Sequence, residues 1–199
     1  MQEYTKIEDS LKEKYQKEER SSRRYLNAVI ILVMAVLLFL YFNQFVYFNV
    51  VVDGPSMATT LTDGDVLIAD KTKTPKKGDI IIIDNEHHGW IIKRVIAVGG
   101  DNVLLSGGNV YLNGEKLDEP YALGITLANG EAVAEDIPFL IPEGEYFYLG
   151  DNRQVSADSR VFGTASSDEI VGVVTKWSFK TKDFRNKVFD FLGIDRGVN

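Results

Sequence analysis

"GDIIIIDNEHHGWIIKRVIAVGGD", Gly78 to Asp101, carries two apolar runs from which the fold class follows. "IIIID" is a short apolar run of strand length, and "NEHHG" is a polar loop. "WIIKRVIAV" is a second, longer strand, and "GGDN" turns the chain after it. Two apolar runs bounded by turn residues predict antiparallel β structure. Side chains alternate between faces along a strand. Trp90, Ile92, Arg94, Ile96 and Val98 therefore share one face, and Ile91, Lys93, Val95 and Ala97 the other. Lys93 is the only polar residue on its face. One reading desolvates its ammonium among aliphatic neighbours and lowers its pKa, so that it can serve as a base. The other lets it reach past those neighbours to water.

The pattern extends in both directions. "DVLIAD" is a strand after the turn residues "TDG", and "TPKKGD" is a turn. "VLL", "SGGN", "VYL", "NGEK" and "LDEPY" read as hairpin pieces, with Asn113-Gly114 as a tight two-residue turn. "ITLANGEAVAEDIPFL" is less regular, "EYFYLGDN" is strand then turn, and "EIVGVVTKWSFK" is a closing strand. "DFRNKVFDFLGI" spaces Phe184, Val188, Phe191 and Leu192 for an amphipathic helix.

Ahead of this β region lies an uncharged run, Tyr25 to Val52, with a continuously apolar centre from Ala28 to Phe42. Crossing a bilayer takes about 20 apolar residues in a helix, which Tyr25 to Phe48 supplies. Aromatic residues gather toward its ends, as at membrane interfaces. Arg20, Arg23 and Arg24 precede the run, and the first base after it is Lys71. The positive-inside rule then puts the N-terminus in the cytoplasm and the rest outside. A cleaved leader fits poorly, because the run is long and no small-x-small site follows it. The organisation expected is a tail at 1–24, a spanning helix at 25–48, an outer domain at 49–182 and an amphipathic tail at 183–199.

The 199 residues contain no cysteine, which excludes disulfides, thiol catalysis and thiolate metal sites. The net charge of -7 argues against nucleic acid as a partner. The two histidines, His87 and His88, are adjacent, so a multi-histidine metal site is not expected.

The run leads directly into "DGPSMATTLTDGD", Asp53 to Asp65. Gly54 and Pro55 are turn formers that can present Ser56 on a fixed bend. Alone, Ser56 reads as a turn residue. Beside a neutral lysine it becomes a candidate nucleophile. A Ser-His-Asp triad would have to use His87 or His88, which read as a hairpin tip.

A third stretch, "GDNRQVSADSRVFG", Gly150 to Gly163, completes a set. With "SMATTL", "KKGDIIII", "IIKRVIAVGGD", "NVYLNGEKLDEPY" and "PEGEYFYLGDNR", in order behind a single anchor, it resembles type I signal peptidase of the Gram-positive form. The resemblance implies a mainly β fold, an antiparallel catalytic core with a second β region inserted at about 102–145. It implies Ser56 as nucleophile, Lys93 as general base and Ser156 as the hydroxyl that orients the amine. Met57, Asp151, Asn152, Asp158 and Arg160 match supporting positions. It implies no cofactor or metal, preprotein signal peptides as substrates cut after a small-x-small sequence, and the bilayer and secretion translocon as surroundings at the plasma membrane. Three positions depart from the family pattern: Thr59 for proline, Val155 for asparagine, and Gly99 for proline. Gly54 offers no hydroxyl to an oxyanion, so the Ser56 N–H would carry more of that work. Alternatives are a self-cleaving Ser-Lys repressor peptidase, which the anchor disfavours, and a non-catalytic relative assisting assembly of surface structures.

Overall fold

Four consecutive isoleucines, Ile80–Ile83, mark a strand buried on both faces. In the computed structural model, which describes residues 2–86, 88–128, 130 and 132–175, they open β3 (Ile80–Asn85). Ile80 and Ile82 enter one apolar cluster, with Met57 and Leu61. Ile81 and Ile83 enter another, with Val95, Tyr146 and Tyr148.

β3 is the middle strand of a seven-stranded sheet. Its members are β1 (Tyr47–Val51), β2 (Val66–Asp70), β3, β4 (Gly89–Val98), β9 (Glu145–Leu149), β10 (Ala165–Ser166) and β11 (Ile170–Val174). The spatial order is β1-β2-β11-β3-β4-β9-β10, with every pairing antiparallel. Residues between β4 and β9 build a second sheet: β5 (Asn102–Ser106), β6 (Asn109–Leu112), β7 (Glu115–Lys116) and β8 (Phe139–Leu140), in the order β7-β6-β5-β8. Its hairpins turn on Gly107-Gly108 and Asn113-Gly114, all with positive φ, as two-residue turns matching strand twist require. Ile96, Ala97, Phe147 and Leu149 of the first sheet pack with Val103, Leu105 and Val110 of the second and with Ile141, which follows β8. The protein is therefore mainly β, in two antiparallel sheets.

The alternation expected along β4 holds only as far as Val95. Val95 pairs with Tyr148 and Ala97 with Phe147, so Ile96 is an extra residue, a β-bulge. The bulge turns Ala97 away from the Lys93 face into the cluster shared with the second sheet.

The helix α1 runs from Gln2 to Tyr41, and every side chain from Lys14 to Phe42 is exposed. Lys14–Tyr41 contains a stretch long and apolar enough to cross a membrane. The expected span to Phe48 is too long. After Tyr41 the chain makes a wider π turn, Phe42–Val46, and Tyr47 and Phe48 belong to β1. The cause is a partner: Tyr47–Val51 lies in register with Val66–Asp70, so its backbone groups are met by a ladder. Residues up to Phe45 form one unit and those from Val46 another. The expected tail helix at 183–199 lies outside the described residues.

A second, four-residue helix, α2 (Ser159–Phe162), is capped by Asp158.

Candidate active site

The chain leaves β1 into a tight turn. Gly54 takes φ +86°, and its N–H donates to Asp63 Oδ1 at 2.8 Å. Ala58 N–H donates to the Pro55 carbonyl, and Leu61 N–H to that of Met57. Met57 and Leu61 are almost wholly buried. Their burial pins the turn to the core and leaves Ser56 between them and solvent, half-buried. A cleft of about 580 Å³ adjoins the turn, lined by Asp53, Pro55, Ala58, Thr59 and Asp63 among others.

Lys93 reaches this turn from β4. It is only 4% exposed. Its Nζ donates to Ser56 Oγ at 3.0 Å and to the Ile92 carbonyl at 3.0 Å. Burial lowers its pKa to about 8, against the opposing charges of Asp158 and Asp151. Of the two sequence readings, the desolvated lysine is the one observed.

Each nearby carboxylate is engaged by an arginine. Asp151 accepts from Arg94 Nε at 2.8 Å and Nη2 at 2.6 Å. Asp158 accepts from Arg160 Nε at 2.8 Å and from Gly150 N–H at 3.0 Å. These pairs satisfy the carboxylates without a direct bond to Lys93. Asn152 holds the nucleophile's own backbone: its N–H donates to the Ser56 carbonyl at 3.0 Å, and its side chain to that of Pro55 at 3.3 Å.

Ser156 departs from expectation. It is buried, but its Oγ has no hydrogen-bond partner among the described residues. The Ile92 carbonyl takes the contact with the amine instead. His88 is exposed and its ring lies 5.1 Å from that of Phe162. His87 is outside the described residues.

Four further residues belong to the site. Strand alternation places Arg94 on a face and gives it no role, and Glu119, Tyr121 and Arg153 carry no periodic signal. A guanidinium inside an apolar strand demands a buried partner, and that was the available signal. The centre of the Arg94 guanidinium lies 4.1 Å over the Tyr121 ring.

Thr59 also departs. Its φ is +87°, which proline cannot adopt. Its hydroxyl donates to the Tyr121 carbonyl at 2.7 Å. The proline of the family pattern therefore does not fit the backbone at position 59. Thr59→Pro is expected to lower stability by more than about 1 kcal/mol, seen as a lower melting temperature; an unchanged or higher one would contradict this geometry.

The sequence pattern of "Signal peptidase, peptidase S26" matches residues 24–178. The chain belongs to this family. It is 33% identical to signal peptidase IB of Staphylococcus aureus over 181 residues, 82% of this chain and 94% of that one. It is 39% identical to signal peptidase I of Bacillus licheniformis over 158 residues, 74% and 83% of the two chains. A crystal structure of a signal peptidase I from Enterococcus faecalis aligns with 34% identity over 52% of this chain and 98% of that one, with a TM-score of 0.43. The protein is thus a membrane-anchored serine endopeptidase of the signal peptidase I family.

Proposed function

We propose that this peptidase removes N-terminal signal peptides from exported preproteins, after a small-x-small sequence, with Ser56 as nucleophile and Lys93 as general base. The observation that carries the assignment is the 3.0 Å contact between a buried lysine amine and the hydroxyl of a half-exposed turn serine. Neutral Lys93 takes the Ser56 proton as Oγ attacks the scissile carbonyl. The Ser56 N–H stabilises the oxyanion, since Gly54 has no side chain to offer. The ammonium then protonates the leaving amine, and the C–N bond breaks to leave an acyl-enzyme. Lys93 next deprotonates a water, which attacks the ester and frees Ser56. Ser156 serves as the buried hydroxyl that receives the amine once Ser56 Oγ is acylated. Asp151, Asn152, Asp158 and Arg160 hold the frame, and Met57 anchors the nucleophile's turn.

The anchor sits in the plasma membrane with its N-terminus cytoplasmic and the peptidase domain outside, beside the translocon that delivers substrate. The support is the basic flank Arg20, Arg23 and Arg24 and the lack of any base between it and Lys71. The test is cleavage of a purified preprotein by the full chain in detergent. Wild type should give one new N-terminus, directly after the small-x-small site, and Ser56→Ala none. Cleavage elsewhere, or by both proteins, would refute the assignment.

A further inference from the structure

We infer that Glu119 is a positioning residue for the nucleophile, acting through Arg153 and Asn152. The inference rests on the assignment of Ser56 above. Glu119 follows β7 and belongs to neither sheet, yet it ends in a buried ion pair. Arg153 is 1% exposed. Its Nη1 donates to Glu119 Oε2 at 3.0 Å, and its Nη2 meets Oε1. Its remaining contacts are to Thr126 Oγ1 and, from Nε at 3.0 Å, to the Gly150 carbonyl. A guanidinium used on three sides fixes the backbone that carries it.

What that backbone does is specific. Asn152, next to Arg153, is the residue that grips the carbonyls of Pro55 and Ser56. Its other neighbour, Asp151, is fixed by Arg94. Asn152 is thus held between two ion pairs. The segment after Glu119 reinforces this grip. Leu123 forms a parallel bridge with Asn152, through Leu123 N–H to the Asp151 carbonyl and Arg153 N–H to the Leu123 carbonyl. Tyr121 donates from its hydroxyl to Glu119, lies against Arg94 and accepts from Thr59. This one segment, turned at Pro120 and Tyr121, meets the Thr59 end of the Ser56 turn directly and the Pro55 end through Asn152, and Glu119 is its charged anchor.

The test is Glu119→Gln in the full chain, with kcat expressed per folded molecule, in wild-type and Asn152→Ala backgrounds. An angstrom of misplacement at a reacting group is worth up to about 100-fold in rate. Glu119→Gln is expected to lower kcat about tenfold or more with little change in KM. In the Asn152→Ala background, which releases the Pro55 carbonyl but keeps the backbone N–H on the Ser56 carbonyl, the same change should cost a clearly smaller factor than in wild type, because coupled residues are not additive. The same factor in both backgrounds, or an unchanged kcat, would overturn the inference. Should Glu119→Gln fail to fold, Thr126→Val decides: it removes one Arg153 contact without a charge, and a smaller fall in kcat with the same dependence on Asn152 is expected. A full rate in folded Thr126→Val would then overturn it. Wild-type cleavage that persists in Ser56→Ala would instead refute the assignment of the nucleophile.

Discussion

Lys93→Arg is expected to abolish cleavage at every accessible pH. A guanidinium keeps its proton and cannot act as a base. Wild type should show kcat/KM rising with pH, about tenfold per unit below the lysine's pKa and flattening above it. That pKa is lowered to about 8, chiefly by burial, so the limb should fall there and not near the ordinary 10.5. Asp158 and Asp151 both oppose the shift. Their arginine partners temper that opposition, so removing Arg160 should move the limb upward. A limb unchanged in Lys93→Arg would sink the lysine base and turn attention to the histidines.

The same shift has a sign for stability. Between about 8 and 10.5 the unfolded chain binds a proton at residue 93 that the folded chain does not. Stability from this group therefore rises with pH across that window, and the penalty is complete below about 8. An inactive Lys93→Met should be more stable than wild type at pH 7, by about 1–3 kcal/mol, as deletion of a buried charge implies. Chemical denaturation at pH 7 and pH 10 would show the gap narrowing.

The central strands were legible because their burial is written locally. Ile80–Ile83 has no polar residue to give either face to solvent, whereas a lysine alone on an apolar face allows either a desolvated base or a side chain reaching water, and only its burial in the fold decides between them. What was missed depends on partners distant in the chain. Glu119 and Arg153 are 34 residues apart, and Arg94 and Asp151 are 57 apart. Neither pairing leaves a periodic trace. The membrane anchor and β1 are both uncharged and apolar, so composition ran them together; only pairing with β2 separates them. The bulge at Ile96 and the positive φ of Thr59 are backbone events set by tertiary context. The resemblance implies a contact between Ser156 and the amine, whereas the amine meets a carbonyl one residue away instead.

Gly150→Ala is expected to damage catalysis more than any change outside the Ser-Lys pair. A methyl group at 150 would lie 2.2 Å from Ser156 Oγ, 2.5 Å from Ser156 Cβ and 2.6 Å from the Ser56 carbonyl oxygen. All three are far inside van der Waals contact, so the chain must move. It cannot move freely. The Gly150 N–H is held by Asp158 and its carbonyl by Arg153. The Ser56 carbonyl is held from the other side by Asn152 N–H. The strain therefore falls on Ser56 itself, and kcat should drop by about 100-fold or more, on the scale of angstrom misplacement at a reacting group. A second change separates strain from catalysis. Adding Ser156→Gly removes both contacts to the Ser156 side chain and leaves the clash with the Ser56 carbonyl. The double variant should regain melting temperature and stay slower than Ser156→Gly alone, which lacks the hydroxyl that receives Lys93. A double variant as fast as Ser156→Gly alone would show that Gly150 matters only as space for Ser156. An active Gly150→Ala single variant would show that the loop yields without disturbing the nucleophile.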